Sequence, residues 1–420
     1  MATNARINPA SRLGRFSMSI KRSIARGLDK SLSKIFSLFQ ISTDLVLVEG
    51  NRAYDDNGRA LFDWLIDKGF NKRYKFVWFM SNPEKYSFLE EIENVQVKRF
   101  CGVSDLLSHP LEYIEFMKLN CTAGLCLYSN SLLGKRTSPG QLRVFLSHGI
   151  ALNKLDGHFG GDTKHDIICS TSQFSSSLIL KALPRAKRIE VTGYPRNDLL
   201  FHKDARSSAL LHGFQGMRRI IWMPTFKHKK QLSRRQNKGN QRNDFCVDRD
   251  NDISLLSESF MNELNMRLKR QNIVLFIKFH PFQDLSFISF VNMSNIVTIS
   301  NDDLRQSGVH LYSFLGEFDA LVTDYSSVAF DYMLLDRPIA YDLTDYDDYA
   351  NGIGFSVANP QDYMPGHYIR TQTDFLEFVD LVAMGKDPRR DDRRAICEVF
   401  NEHSDDKSSE RVLSLLPLTL

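Results

Sequence analysis

Apolar positions along this chain follow two periods, and the two periods alternate. DLVLVEGNR (44–52), YKFVWFMS (74–81) and VQVKRF (95–100) are short aromatic or β-branched runs that lead into polar turns, as buried strands do. Between the first two, RALFDWLIDKG (59–69) repeats its apolar residues at helical spacing and stops at Gly69. EYIEFMKLNCTAG and LCLYSN predict a helix and then a strand, LRVFLSHGI (142–150) repeats the passage from strand to loop, and DIICSTS and IEVTGYPRND follow. A second series begins at RRIIWMPTF (218–226). It continues through a helix at 254–270, NIVLFIKFHPF (272–282), IVTIS (296–300), a strand ending in DALVTD, RPIAYDL (337–343), and the helical FLEFVDLVAMG and SSERVLSLLPL. This alternation predicts an α/β fold of mostly parallel sheets covered by helices on both faces. The two series meet around residues 200–217. Ligands of such halves bind beyond the C-terminal strand ends, in the cleft between them.

A different pattern precedes the first strand. Leu13, Phe16, Ile20, Ile24, Leu28, Leu32, Ile35 and Phe39 recur every three or four residues, which makes one apolar stripe on a helix. Residues 1–40 also carry eight Lys or Arg against Asp29 alone. The whole chain has a net charge of only +4, so the remainder is slightly acidic. The segment has three readings: a helix on an anionic membrane surface, a helix packed on the body or on a second subunit, or a disordered stretch. The expected division is a basic amphipathic, membrane-associating segment at 1–43, an acceptor-side α/β domain at 44–210 and a donor-binding α/β domain at 211–420.

Composition narrows the classes. A length of 420 residues exceeds what one core usually organises, and 42% apolar with 25% charged residues is a globular balance. The six cysteines, at 101, 121, 126, 169, 246 and 397, form no CxxC pair, which predicts a reducing compartment with neither disulfide framework nor zinc cluster. No continuous apolar stretch of about 20 residues is present, and no apolar signal core follows the basic start, so the protein is expected on the cytoplasmic side of the membrane. KHKKQLSRRQNKGNQRNDFCVDRDND (227–252) is almost wholly polar and reads as an exposed loop; its basic start suits a solvated loop better than a nucleic-acid contact. GxGxxG, GxxxxGK[ST] and HExxH are all missing from the sequence.

The chemistry concentrates at predicted strand ends. DALVTD ends a strand and SSVAFDYMLLD starts a helix, which puts Ser326 and Ser327 at a helix N-terminus beside Asp324 and Asp331. Unpaired N–H groups, the helix dipole and two hydroxyls there would cradle a diphosphate; the plainer alternative is a serine that only caps its own helix. His280 ends IKFH, where an imidazole can donate to a phosphate or protonate a leaving oxygen. His148 follows FLS and precedes Gly149, which permits close backbone approach. Each histidine alone could be structural, but both lie with the serine pair at strand ends of different halves.

With these residues in view, a resemblance emerges. VEGNRAYDDNGRALFDWL, LSHGIALNKLDG, VTGYPRNDLL, MPTFK, IKFHPF and VTDYSSVAFDYMLLDRPIAYDLTDYDDY together resemble the CDP-glycerol glycerophosphotransferases, the teichoic-acid primases and polymerases and their capsule-polymer relatives. The blocks run from about residue 45 to ERVLSLL. The resemblance implies a GT-B-type fold, with two Rossmann-like domains facing a central cleft behind the N-terminal amphipathic helix, and a peripheral place on the cytoplasmic face of the cell membrane. It implies a CDP-activated donor, CDP-glycerol or CDP-ribitol, and a lipid-linked saccharide or polyol-phosphate polymer as acceptor.

Carried over residue by residue, His280, Ser326, Ser327 and Thr225 belong to the donor phosphate site, Asp324 and Asp331 are the acidic positions around it, and His148 serves the acceptor. Asp56 is a further candidate for orienting the acceptor or supporting the base. Lys227 stands where the family usually has Arg, which keeps the charge and loses the fork for bidentate contact. HGI replaces the commoner HGT. No residue pattern requires a metal, although carboxylates near a diphosphate leave Mg²⁺ open. The expected reaction is attack by an acceptor hydroxyl on the β-phosphorus with release of CMP. The rivals are a sugar-nucleotide transferase of the same fold and a non-catalytic membrane-associated scaffold.

Overall fold

The computed structural model describes residues 27–50, 53–103, 105–129, 138–149, 152, 165–184, 186–224, 255–279 and 293–420. Two sheets organise them. The first contains β1 (Ser42–Glu49), β2 (Lys75–Met80), β3 (Val95–Arg99), β4 (Ala123–Tyr128), β5 (Leu142–Phe145), β6 (Ile167–Ser170) and β7 (Ile189–Val191), in the spatial order β3-β2-β1-β4-β5-β6-β7. The second contains β8 (Arg218–Trp222), β9 (Ile273–Ile277), β10 (Ile296–Thr298), β11 (Ala320–Thr323), β12 (Ile339–Asp342) and β13 (His367–Ile369), in the order β10-β9-β8-β11-β12-β13. The paired strands run parallel throughout both sheets.

Parallel strands covered on both faces need apolar residues at successive positions, which is why the runs read as continuous. In β1, Val46 and Val48 enter one core cluster while Leu45 and Leu47 enter another. In β9, Ile273, Leu275 and Ile277 face the second sheet's own helices, and Val274 and Phe276 face the opposite layer. That layer is continuous across both domains, holding Phe79 and Phe145 of the first beside Phe276 and Phe330 of the second.

Helix α1 covers residues 27–36 and helix α2 is Asp56–Asp67. The chain leaves α2 through Gly69, whose φ of 83° is the left-handed conformation that glycine adopts without penalty. The apolar stripe divides in α1. Leu32 and Phe36 pack on the first domain and Asp29 accepts a 2.5 Å hydrogen bond from Tyr113, while Leu28 and Ile35, with Leu38 and Phe39 just beyond the helix, stay exposed. Residues 1–26 and 225–254, with most of the predicted basic helix and polar loop, lie outside the described residues. No helix among the described residues is long and apolar enough to cross a membrane.

The final segment crosses back to the first domain. Phe400 stacks on Phe330 of the second domain at 3.8 Å between ring centres and meets Phe174 of the first edge-on at 5.1 Å, the Glu402 N–H donates to Thr171 O, and the Ser408 and Ser409 N–H groups donate to the Asp198 carboxylate. Val412, Leu416 and Leu418 complete the core cluster of the first sheet. In packing, then, these residues of the expected 211–420 unit belong with the first sheet.

Candidate active site

In each sheet the order reverses once, between β1 and β4 in the first and between β8 and β11 in the second. A crevice opens at such a switch point because the connections on either side lead away from it. Beyond β1 and β4 lie the start of α2 and Ser129. Asp55 caps α2, the Gly58 N–H donates to Ser129 Oγ at 2.9 Å, and Asn57 Nδ2 donates to the Leu146 and Ser147 carbonyls. Beyond β11 lie Asp324, Tyr325, Ser326 and Ser327, before the short helix Val328–Tyr332.

His148 is held between two residues in the left-handed region, Ser147 at φ 63° and Gly149 at φ 102°. Asp56 shares that conformation at φ 61°. Non-glycine residues there cost on the order of 1–3 kcal/mol each and persist where surrounding contacts over-determine them. Those contacts are present: Asn57 holds the Ser147 carbonyl, the Tyr194 hydroxyl reaches Ser147 Oγ at 3.3 Å, and Arg196 Nη1 donates to His148 O at 2.9 Å. His148 Nδ1 lies 3.3 Å from the Ser129 carbonyl. A carbonyl only accepts, so Nδ1 carries the proton and Nε2 is the basic nitrogen of the neutral ring.

The two switch points meet at this loop. A Cβ on Gly149 would stand 2.5 Å from Ser327 Oγ and 2.7 Å from Arg196 Nη2. Glycine is therefore required on two counts, conformation and space. Ser327 occupies the N-cap position of Val328–Tyr332, yet its side chain makes no capping bond. Both Ser326 and Ser327 are half-buried on the cleft side of this turn.

Arg196 joins the halves. It is buried, and it donates to Asp56 Oδ1 at 2.5 Å in the first domain and to Asp331 Oδ2 at 2.7 Å in the second. Asn197 Nδ2 and the Tyr312 hydroxyl supply the other donors to Asp331, at 3.0 and 2.5 Å. Burial by itself would lower the Arg196 pKa; Tyr312, Asp331 and Asp56 more than offset it and hold the guanidinium charged. Arg59 adds a second bridge by donating to the Gly308 and Val309 carbonyls, at 2.7 and 3.2 Å. His310 adds a third. Its Nδ1 accepts from the Tyr312 N–H and its Nε2 faces Asp56 O at 3.2 Å, while burial, then Arg59, lowers its pKa to about 4.

Of the residues singled out in the sequence, the structure brings His148, Asp56, Ser327 and Asp331 around Arg196, with Ser326 next in the chain. Asp331 departs from the expected place at the phosphate. Both of its oxygens accept from Arg196, Asn197 and Tyr312, so it binds the domains together. Asp324 is buried beneath the serine turn. His280, Thr225 and Lys227 lie outside the described residues. Arg196, Asn57, Tyr312 and His310 went unnoticed in the sequence; the Pro-Arg-Asn-Asp run within VTGYPRND was the signal for the first of them.

Two facing parallel-sheet domains with their switch points joined across a cleft define a GT-B-like architecture. The chain belongs to the CDP-glycerol:poly(glycerophosphate) glycerophosphotransferase family, whose profile matches residues 32–417. It is similar to a teichoic acid glycerol-phosphate transferase of Staphylococcus aureus, at 22% identity over 94% of this chain and 98% of that protein. It is 24% identical to a teichoic acid poly(glycerol phosphate) polymerase of Staphylococcus epidermidis over 76% of this chain, which spans only 42% of that longer protein. A solved structure of the wall teichoic acid polymerase TagF shares the fold, with a TM-score of 0.66 and 17% identity over 96% of this chain and 97% of that one.

Proposed function

We propose that this protein transfers a polyol phosphate, glycerol phosphate first among the candidates, from a CDP-activated donor to a hydroxyl of a lipid-linked or polymer acceptor. The observation that carries the reading is the contact of the His148–Gly149 loop with the Ser327 turn across the cleft, in a chain of this family. The acceptor hydroxyl attacks the β-phosphorus and its proton passes to His148 Nε2. The bond from the β-phosphorus to the bridging oxygen breaks and CMP leaves. Ser326 and Ser327 hold the diphosphate, with His280, Thr225 and Lys227 as further donors, and most of the rate comes from placing reactants and stabilising phosphoryl charge. Asp56 acts through Arg196, which fixes the backbone of His148. Mg²⁺ would enter with the donor's phosphates; no cluster of three metal-ligating side chains stands ready among the described residues.

An anionic membrane surface is the proposed support for the acceptor. Leu28, Ile35, Leu38 and Phe39 are exposed beside Lys30 and Lys34, and Leu111 and Ile114 are exposed on the neighbouring helix that carries Tyr113. Apolar insertion with basic flanks is how an interfacial helix binds anionic lipid.

The deciding experiment incubates the protein with CDP-glycerol, CDP-ribitol and UDP-sugars on a membrane acceptor and weighs the products. Product heavier by one polyol phosphate, with CMP released, is the expected result. Glycosyl transfer without phosphate would establish the sugar-nucleotide alternative, and absence of turnover with every donor would leave a scaffold.

A further inference from the structure

Lys278 is the residue that the reaction as described does not use and that the fold does not explain. It follows β9 directly, and its N–H donates to the carbonyl of Trp222, the last residue of β8, at 2.9 Å. That places it at the C-terminal edge of the second sheet, with β8 alone between its strand and β11, which leads into the turn of Ser326 and Ser327. Alternation along β9 puts its side chain on the face of Val274 and Phe276. This is the layer where Phe276 meets Phe314 and Phe318 at 6.0 and 5.3 Å and where the first domain is joined through His310.

Lys278 is only 5% exposed. Among the described residues its ammonium has neither a hydrogen-bond partner nor an ion pair within 4.0 Å. The opposite charge that acts on it is Asp55, across the cleft in the first domain, and burial outweighs that attraction, so its pKa is lowered. A buried cation without a counter-ion costs several kcal/mol and is tolerated where an anion arrives to compensate it. A structural lysine would point its head into water or pair with a carboxylate. This one has no carboxylate partner among the described residues, is almost wholly buried, and stands at the strand edge where a parallel sheet receives its ligand.

We infer that Lys278 is the counter-charge for the donor's diphosphate, its ammonium bonding the phosphoryl oxygens when the nucleotide enters the cleft. The inference rests on the donor reading above and adds to it a residue that is unfavourable in the free protein and satisfied in the complex. It follows that one substitution should move stability and affinity in opposite directions.

The test is Lys278→Met in the full chain, followed by thermal unfolding without ligand and by titration calorimetry with CDP, UDP and cytidine. Methionine keeps the length of the side chain and removes the charge. The expected result is a higher melting temperature, CDP binding weakened at least about tenfold and cytidine binding unchanged, because cytidine has no phosphate. Equal CDP affinity in wild type and variant overturns the inference while leaving the donor reading intact. A lower melting temperature overturns it as well, since the lysine would then be a stabilising part of the fold. UDP binding that needs Lys278, in a protein that ignores CDP, would overturn the CDP reading and retain the lysine as a diphosphate site. Wild-type protein that binds neither diphosphate ends both.

Discussion

Arg196 is the residue on which the geometry of the cleft converges. Removing it leaves Asp56 without its ion-pair partner and takes one of three donors from Asp331. Arg196→Met should therefore destabilise by about 3–5 kcal/mol, the usual consequence of breaking a buried pair, read by urea denaturation at neutral pH. Asp331→Asn should destabilise less, because Asp56 still balances the guanidinium. His148→Ala has a different signature. It should bind CDP-glycerol as wild type does and transfer about 10²–10⁴-fold more slowly, since only proton removal is lost. Lost donor binding in a folded variant would move His148 to the donor side. Ser326→Ala with Ser327→Ala should weaken CDP-glycerol binding by roughly 1 kcal/mol per hydroxyl, and unchanged affinity would end the cradle.

Among the elements, α1 lends itself to a test because its two sides do different things. Phe36 is in the core, so deleting the whole segment would confuse packing with membrane contact. Leu28→Ser with Ile35→Ser changes only exposed positions of the helix. That pair should keep the melting temperature and reduce flotation with anionic vesicles. Equal flotation would assign the exposed residues to another role.

The elements were also the most legible level of the sequence. A strand buried on both faces declares itself as an unbroken apolar run, and α2 declared itself by its period and by Gly69. His148 and the serine pair were legible for the same reason, as polar groups just beyond such runs. Arg196 was not, because its partners Asp56 and Asp331 lie 140 and 135 positions away and meet only when the domains close. Nor was Lys278, since one lysine after an apolar run looks like an ordinary exposed strand end. The return of the last residues to the first sheet escaped for a third reason. SSERVLSLLPL has the apolar spacing of a helix but carries nothing to say which domain that helix covers.

Across the whole molecule, two buried histidines connect stability to pH. His310, buried and beside Arg59, and His165, buried and beside Arg143, both have pKa values lowered from 6.5 to about 4. Unfolding releases each into water, where it binds a proton more readily than in the folded state. Their contribution is complete above pH 6.5 and is lost as pH falls toward 4. Urea midpoints should drop steadily across that window. His165→Gln should flatten the fall, because Tyr128 and Phe145 would then enclose a side chain that does not titrate there. A midpoint constant from pH 7 to 4.5 would show that neither histidine needs to shed its proton to fold.

The crossing of the last segment onto the first sheet has a consequence for biosynthesis. Val412, Leu416 and Leu418 fill that sheet's core, and the Thr419 N–H donates to the Tyr74 hydroxyl. A ribosome delivers these residues after every strand of the second sheet. Although its strands emerge early, the first domain must wait, with an apolar seam uncovered, until the second sheet has been synthesised. A nascent chain arrested after β13 should thus display protease-sensitive sites within residues 53–103 that close on release. Chaperone dependence should track translation of the tail, more than that of the second domain which precedes it.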